Sequence, residues 1–300
     1  MEKIDRGVIT PLNWLGGLFD GDCTLRMGID NKNRLYTQFV LEMVDEYTIS
    51  ETIKIVSDIV GYKVSRSSRI TPSGFSKKVK HGLSVQARHP LRVLLRNLRP
   101  HCLLYRSKID AVLECLDRAL VYDQRARSPG KIFSISDRDR ELVRKFSGKG
   151  PKYIDTTIEP TSKLGWLVGI IDAEGSFIFT DKNLLFNINM ACEFALEKIS
   201  EYLKTELGIT SIVYDKNVKY PSKLKQFYIH LRNDSLESLV TQITPLLITK
   251  NLQSSLILEY MQNRIPEHTS SRLVTGLNHH LREAREESLK ILKKGNPVPS

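Results

Sequence analysis

The sequence predicts an α+β protein: two pseudo-symmetric αββαββα domains, each built on a four-stranded antiparallel sheet and packed together through a pair of homologous helices. Three observations lead there. First, a motif occurs twice, as Leu-Asn-Trp-Leu-Gly-Gly-Leu-Phe-Asp-Gly-Asp-Cys-Thr-Leu over residues 12–25 and as Leu-Gly-Trp-Leu-Val-Gly-Ile-Ile-Asp-Ala-Glu-Gly-Ser-Phe over residues 164–177. Aligned without gaps, Trp14 meets Trp166, Gly17 meets Gly169, Asp20 meets Asp172, and Asp22 meets Glu174; the two tryptophans are the chain's only ones. Second, the periodicities behind each copy follow one order, helix, hairpin, helix, hairpin, helix. Third, a breaker-rich seam separates the halves.

The elements follow in order. Leu12–Asp22 reads as a helix after a short polar lead ending at Pro11. Thr24–Asp30 and Arg34–Val44 are rich in β-branched and apolar residues around Asn31-Lys-Asn, a hairpin pattern. Thr48–Val60 has helical spacing and stops at Gly61. Tyr62–Arg69 and Gly82–Arg88 read as a second strand pair across the basic turn Thr71-Pro-Ser-Gly-Phe-Ser-Lys-Lys, and helices follow over Pro90–Leu98 and Ser107–Leu120. The seam holds Ser128-Pro-Gly-Lys and Gly148-Lys-Gly-Pro, with a charged helix between them capped by Ser136. In the second half, Leu164–Glu174, Phe194–Leu207, Leu236–Ile243 and Asn251–Gln262 are helical; Phe177–Thr180, Leu184–Met190, Ser211–Lys216 and Gln226–Arg232 are strands. The expected boundaries are residues 1–124 and 164–266 for the domains, 125–163 for the linker and 267–300 for a helical tail over Leu281–Lys293.

A formal net charge of +11 over 300 residues points to a polyanionic partner, nucleic acid first and an anionic membrane surface second. The four cysteines, Cys23, Cys102, Cys115 and Cys192, form no CxxC pair and no zinc-like cluster, and read as reduced intracellular thiols. No apolar run approaches the roughly 18–20 residues that span a bilayer. Gly-rich phosphate loops, nucleophile triads and cofactor fingerprints are absent from the sequence, which disfavours a small-molecule enzyme.

In the repeated helix, Gly17 and Gly21, like Gly169 and Ala173, lie four residues apart on one face. Small residues at that spacing let two helix backbones approach, so these four form the expected interface between homologous helices across a pseudo-twofold axis. Asp22 and Glu174 then emerge at the helix C-termini. Carboxylates at the negative ends of helix dipoles are unfavourable unless a cation offsets them. Mg²⁺, with its oxygen preference and retained waters, suits the position. Paired acids on a basic protein are parts for activating water against a phosphodiester.

Leu15-Gly-Gly-Leu-Phe-Asp-Gly-Asp-Cys and Leu167-Val-Gly-Ile-Ile-Asp-Ala-Glu-Gly resemble the two signature helices of a single-chain LAGLIDADG homing endonuclease, and the element order extends the resemblance over nearly the whole chain. The resemblance implies that Asp22 and Glu174 bind catalytic metal, with the carbonyls of Gly21 and Ala173 assisting. The metal is then Mg²⁺, for which Mn²⁺ or Ca²⁺ can stand in. A basic residue before the late helix of each domain serves the scissile phosphates; Lys250 fits in the second half, and Arg106, then Lys108, in the first. A further polar position falls on Asp45 and Cys192. Cys23 stands where the motif ends in Gly, so either it is strained in a positive-φ exit from the first helix or it forces a different exit. The resemblance also implies a monomer acting on double-stranded DNA, a staggered cut across the minor groove, an intron-associated mobile element and an organellar setting, mitochondrion or chloroplast.

Basic and amide residues of the strands and turns are the candidate DNA contacts. They are Arg26, Arg34, Gln38, Lys63, Arg66, Arg69, Lys78, Lys80 and Arg88 in the first half, and Lys182, Asn187, Lys216, Lys219, Lys223, Lys225, Gln226 and Arg232 in the second. A twisted sheet presenting such side chains can follow a major groove, Arg and Lys reading guanine, Asn and Gln reading adenine, the rest neutralising phosphate. Unlike halves predict a long asymmetric target. The alternatives are an RNA maturase acting on its host intron and a DNA-binding regulator with a dead nuclease fold. Retention of both acids favours cleavage over either.

Overall fold

The structure, a computed structural model, describes residues 9–73, 76–125, 135–147, 154–179, 184–215 and 225–262. The first helix, α1 (Pro11–Asp22), begins one residue before the sequence expectation. Thr10 caps it, its hydroxyl accepting from the Asn13 N–H at 3.3 Å, and Pro11 sits in the first turn, where a missing N–H loses no helical bond. Strands β1 (Cys23–Ile29) and β2 (Leu35–Met43) pair from Cys23 opposite Leu41 to Ile29 opposite Leu35. The Asp30 carboxylate closes their turn, accepting from the backbone N–H groups of Lys32 and Arg34 at 2.9 Å each. Asp45 caps α2 (Glu46–Val60), and Gly61 ends it at φ 73°, the left-handed conformation glycine supplies.

The next hairpin differs from expectation. Strands β3 (Arg66–Ser73) and β4 (Ser76–Val85) stay paired as far as Ser73 opposite Ser76, so most of the expected basic turn is strand. An existing ladder overrides local turn propensity here, and Pro72 is tolerated because β3 is an edge strand. Helices α3 (Arg88–Leu98) and α4 (Arg106–Arg125) follow, separated by a short 3-10 turn at Arg99–His101. Within the seam, α5 (Asp137–Phe146) opens on a capping box formed by Ser136 and Asp139. Asp139 is fully buried and also accepts from Arg118 of α4 at 2.5 Å, which ties α5 to that helix. Burial pushes the Asp139 carboxyl up, but the bonds from Ser136 and Arg118 outweigh it and hold the group below the usual carboxylate range.

The second half repeats the scheme as α6 (Lys163–Glu174), β5 (Gly175–Phe179), β6 (Leu184–Met190), α7 (Glu193–Leu207), β7 (Val213–Asp215), β8 (Phe227–Arg232), α8 (Asn233–Ile243) and α9 (Asn251–Gln262). Gly208 ends α7 at φ 69°, matching Gly61. Both sheets are antiparallel with one strand order, β1-β2-β4-β3 and β5-β6-β8-β7. The fold class read from the sequence is the one observed. The expected tail helix over 281–293 and the turns at 181–183 and 220–223 lie outside the described residues.

The chain divides into two compact units between Ala173 and Glu174. In the first, α1 is buried on all sides from Asn13 to Asp20, as a helix apolar all round must be. Phe19 stacks on Phe39 at 5.4 Å between ring centroids and meets Tyr105 edge-on at 5.2 Å. In the second, Phe177 and Phe186 meet at 5.1 Å, and the core also takes Leu196, Ile199 and Leu203 of α7 with Leu239 and Val240 of α8. Among the described residues no helix is long and apolar enough to cross a membrane.

Candidate metal-binding helices and nucleic-acid interface

Although α6 heads the second repeat, it packs within the first unit, against α1. A Cβ built on Gly17 would lie 2.0 Å from the Trp166 carbonyl oxygen, and one built on Gly169 would lie 2.1 Å from that of Trp14. No side chain fits either place, so the two backbones touch. The contacts are reciprocal: Gly17 faces Trp166 and Ile170, and Gly169 faces their counterparts Trp14 and Leu18. A third close approach, not foreseen from the sequence, puts Gly16 against the His101 backbone, 2.3 Å from a built Cβ to the carbonyl oxygen.

The tryptophans and inner aspartates complete the same exchange. The Trp14 indole N–H donates to Asp172 at 2.8 Å, and the Trp166 indole N–H donates to Asp20 at 2.8 Å. Asp20 also accepts from the backbone N–H groups of Leu103, Leu104 and Tyr105 at 2.5, 2.9 and 3.0 Å. Burial pushes the Asp20 carboxyl up to about 6, against the opposing pull of Trp166 and those three N–H groups. Asp20 and Asp172 thus each accept from the indole of the other motif helix.

Asp22 and Glu174 are the last residues of α1 and α6, half-buried, with Gly21 and Ala173 half-buried before them. Cys23, which follows Asp22, has φ −81° and ψ 158°, an extended conformation that any residue adopts, and opens β1 opposite Leu41. Gly175 is not among the positive-φ residues either. Both helices therefore pass straight into strand, and cysteine is unstrained at this exit. Among the described residues no three His, Cys, Asp or Glu side chains group as a metal site. The donors that the motif offers are hard oxygens, two carboxylates and the carbonyls beside them, and they fit an ion such as Mg²⁺ that fills its remaining positions with water.

Lys250 lies just before α9, and its carbonyl accepts from the Ser254 N–H at 3.0 Å to start that helix. In the first half the corresponding carbonyl is that of Tyr105, which accepts from the Ile109 N–H at 2.8 Å as α4 begins. The turns before these helices, Arg99–His101 and Thr244–Leu246, precede them by the same interval. Tyr105 thus precedes α4 as Lys250 precedes α9, and Arg106 is the first residue of α4. The Arg106 guanidinium is engaged elsewhere, donating to the carbonyls of Cys102, Pro100 and Glu159 at 3.1, 2.9 and 3.1 Å. It holds the chain before α4 to the seam. Lys108 is 2% exposed, its Nζ 5.7 Å from the centre of the Tyr105 ring. Of the two residues at the further polar position, Asp45 caps α2, and Cys192 stands at the start of α7 without a side-chain capping bond.

On the first sheet, strand alternation leaves Arg26, Gln38 and Lys80 on the face away from the buried residues, with Arg26 directly opposite Gln38. Gln38 donates to Ser84 on β4 at 2.9 Å, a partner the sequence did not single out. Arg34 is paired with Asp30 at 2.8 Å at the end of the hairpin. Arg66 departs from the set. It stands opposite the buried Leu83, on the other face, and is bound by Glu46 at 2.5 Å. Lys63 is exposed between α2 and β3, and Arg88 opens α3. Arg69 stands opposite Lys80 and Lys78 opposite Thr71 in the ladder; their side chains lie outside the described set.

On the second sheet, Phe227–Arg232 alternates buried and less buried residues, so Tyr228, His230 and Arg232 share the open face, and Asn187 stands opposite His230. Lys225 and Gln226 are exposed just before β8. Lys182, Lys216, Lys219 and Lys223 lie outside the described residues. Tyr214, Tyr228 and His230 carry neither a fixed charge nor an amide, and the period-2 pattern of β8 is the sequence signal that places the last two on this face.

No protein-family model and no curated protein matches the sequence. Solved structures do match. The LAGLIDADG homing endonuclease I-GzeII, in complex with its DNA target, aligns at TM-score 0.58 and 12% identity over 92% of this chain and 97% of its own. The LAGLIDADG meganucleases I-AabMI and I-CpaMI, each bound to uncleaved DNA, align at TM-score 0.54 and 13% identity, over 91% and 93% of this chain and 98% and 97% of theirs. The chain therefore has the two-domain LAGLIDADG fold.

Proposed function

We propose that this chain, which folds as the two-domain LAGLIDADG endonucleases do, is a monomeric, site-specific double-strand DNA endonuclease. One observation carries the reading: two homologous helices in reciprocal contact through Gly17 and Gly169, each ending on a carboxylate. A DNA-binding protein has no need of matched acids at both positions, whereas phosphodiester hydrolysis does.

In this reading Asp22 and Glu174, with the carbonyls of Gly21 and Ala173, hold divalent metal, Mg²⁺ in the cell. When bound, that ion supplies a Lewis acid and lowers the pKa of a coordinated water. The chain's own part is to fix the carboxylates at the ends of helices whose indole–carboxylate bonds allow little movement. Lys250, at the mouth of α9, supplies positive charge to the phosphate. Arg26, Gln38 and Lys80 on one sheet, and Asn187, Lys225 and Arg232 about the other, contact DNA, some reading bases and some neutralising phosphate. Unlike sheets imply a long asymmetric target, a staggered cut, and the intron-borne setting of a mobile element.

The test is cleavage of a library of long duplexes with Mg²⁺, beside Asp22→Asn and Glu174→Gln variants and a chelated control. The wild-type chain cuts a defined site. Each variant loses at least about 100-fold in rate, because a direct ligand matters more than the outer-shell partners whose loss costs 10–100-fold. Chelation stops cutting while duplex binding persists. Undiminished cutting by either variant sinks the metal assignment. Specific binding of intron RNA with no cut duplex replaces the nuclease reading by the maturase one.

A further inference from the structure

The stretch between α3 and α4 makes more contacts than a connection needs. Between Pro100 and Tyr105 this strap reaches both motif helices. The backbone N–H groups of Leu103, Leu104 and Tyr105 donate to Asp20 of α1, and the His101 carbonyl lies against Gly16, one turn earlier on that helix. Its other contacts go to the residues that lead into α6. The Pro100 carbonyl accepts from the Thr161 N–H at 3.0 Å and from the Thr161 hydroxyl at 2.9 Å. Ser162 follows directly and opens α6, its hydroxyl accepting from the Gly165 N–H at 3.1 Å and its carbonyl from the Trp166 N–H at 3.0 Å.

Arg106 joins these contacts. Its Nη2 donates to the Pro100 carbonyl at 2.9 Å and to the Glu159 carbonyl at 3.1 Å, and its Nε donates to the Cys102 carbonyl at 3.1 Å. One planar guanidinium therefore spans the turn, the strap and the seam. The fixed fork of an arginine suits that task, and the point charge of a lysine does not. The side chain is half-buried, and burial, then the neighbouring Arg99, lower its pKa. Its hydrogen-bond partners among the described residues are all carbonyls, two in the strap and one in the seam. Arg106 and Thr161 meet on one acceptor, the Pro100 carbonyl, so a change in either is felt by the other.

We propose that Arg106 is a positioning residue: it latches the seam at Glu159–Thr161 to the strap that holds Asp20, so that α6 starts at a fixed height against α1. A hydrogen-bonded helix is stiff along its axis, so the height at which α6 starts sets the height at which it carries its terminal Glu174. The proposal rests on the nuclease reading above and adds to it a device by which the chain joining the halves governs the metal-bearing helices. Arg106 then acts through those helices, without touching metal or DNA.

The experiment compares the whole chain with Arg106→Ala, Thr161→Val and the double variant, on the duplex that the wild-type chain cuts. It reads duplex affinity with metal chelated, the Mg²⁺ concentration for half-maximal cutting, indole emission, and cleavage between α5 and α6 by a protease of broad specificity. Trp14 and Trp166 are the chain's only tryptophans and both are buried in the helix pair, so the emission reports on that pair alone. In Arg106→Ala, duplex affinity holds, and the Mg²⁺ requirement rises by about 10- to 100-fold, the range for losing a group that orients a metal ligand. Indole emission shifts and protease cleavage quickens. Thr161→Val moves the last three readouts in the same direction, and the double variant loses less than the product of the single losses, as groups with a shared partner do. If Arg106→Ala slows cutting while Mg²⁺ requirement, emission and proteolysis stay unchanged, the guanidinium serves the phosphate and the latch is wrong. It is equally wrong if duplex affinity falls in step with cutting, or if the single losses multiply. If the wild-type chain cuts no duplex with Mg²⁺, the nuclease reading falls; unchanged emission and proteolysis in Arg106→Ala overturn the latch on their own.

Discussion

Asp20 accepts four hydrogen bonds, three from the backbone before α4 and one from the Trp166 indole. A carboxylate with that many donors fixes where three chain segments meet. Replacing it by the isosteric amide turns an NH₂ toward N–H groups. We expect Asp20→Asn to lose about 2–4 kcal/mol of stability, and Trp166→Phe, which removes one donor and keeps most of the volume, to lose about 1–2. Urea unfolding monitored by circular dichroism measures both; a change within about 0.5 kcal/mol for Asp20→Asn contradicts the account. The sequence could align Asp20 with its motif twin Asp172. It could not name the partners, which lie 83 to 146 residues away. Arg106 likewise has partners that its position beside the turn does not reveal: its guanidinium donates to three carbonyls, one of them in the seam.

Glycines at element boundaries and crossings divide into two kinds. Gly61 and Gly208 have positive φ with nothing within 4 Å of a built Cβ, so their constraint is conformational. Gly17 and Gly169 have helical backbones, and their constraint is a facing carbonyl. Alanine separates the two cases. Gly61→Ala costs about 1–2 kcal/mol for the left-handed conformation. Gly17→Ala must push α1 and α6 apart and costs about 3 kcal/mol or more, with the indole–carboxylate bonds weakened together. Thermal melts of the two variants decide this, and equal losses refute the distinction. The helices and most strands were legible because their apolar periodicities are strong and their end signals, Ser136, Gly61 and Gly208, are explicit. The extent of the β3–β4 hairpin was not, since its polar outer residues lack an apolar alternation and the pairing of the two strands with each other decides their length.

At the scale of the molecule, a net charge of +11 makes nucleic-acid affinity steeply salt-dependent. The logarithm of the binding constant should fall linearly with the logarithm of salt concentration. Exposed Arg26 on the open face and Arg66 on the opposite face, paired to Glu46, give a matched comparison. If Arg26 neutralises a phosphate, Arg26→Ala reduces the slope by about 0.9; Arg66→Ala changes it by well under half of that, because its charge is already met within the protein. Fluorescence anisotropy on one duplex between low and moderate salt measures both. Equal slope changes contradict the assignment of faces.

The duplicated motif, its paired acids and the recurring order of elements are local properties of the chain. Short-range spacing records them, so the α+β class, the two like halves and the end-of-helix carboxylates could be read before any fold was seen. Tertiary structure alone decided what depends on distant segments meeting: that Trp14 and Trp166 donate to the aspartates of each other's helices, that the Arg106 guanidinium reaches the Glu159 carbonyl, that Arg66 turns away from the open face, and that Asn187 meets His230 across two strands. Those pairings are set by sheet register and helix crossing, which a local pattern permits but does not specify.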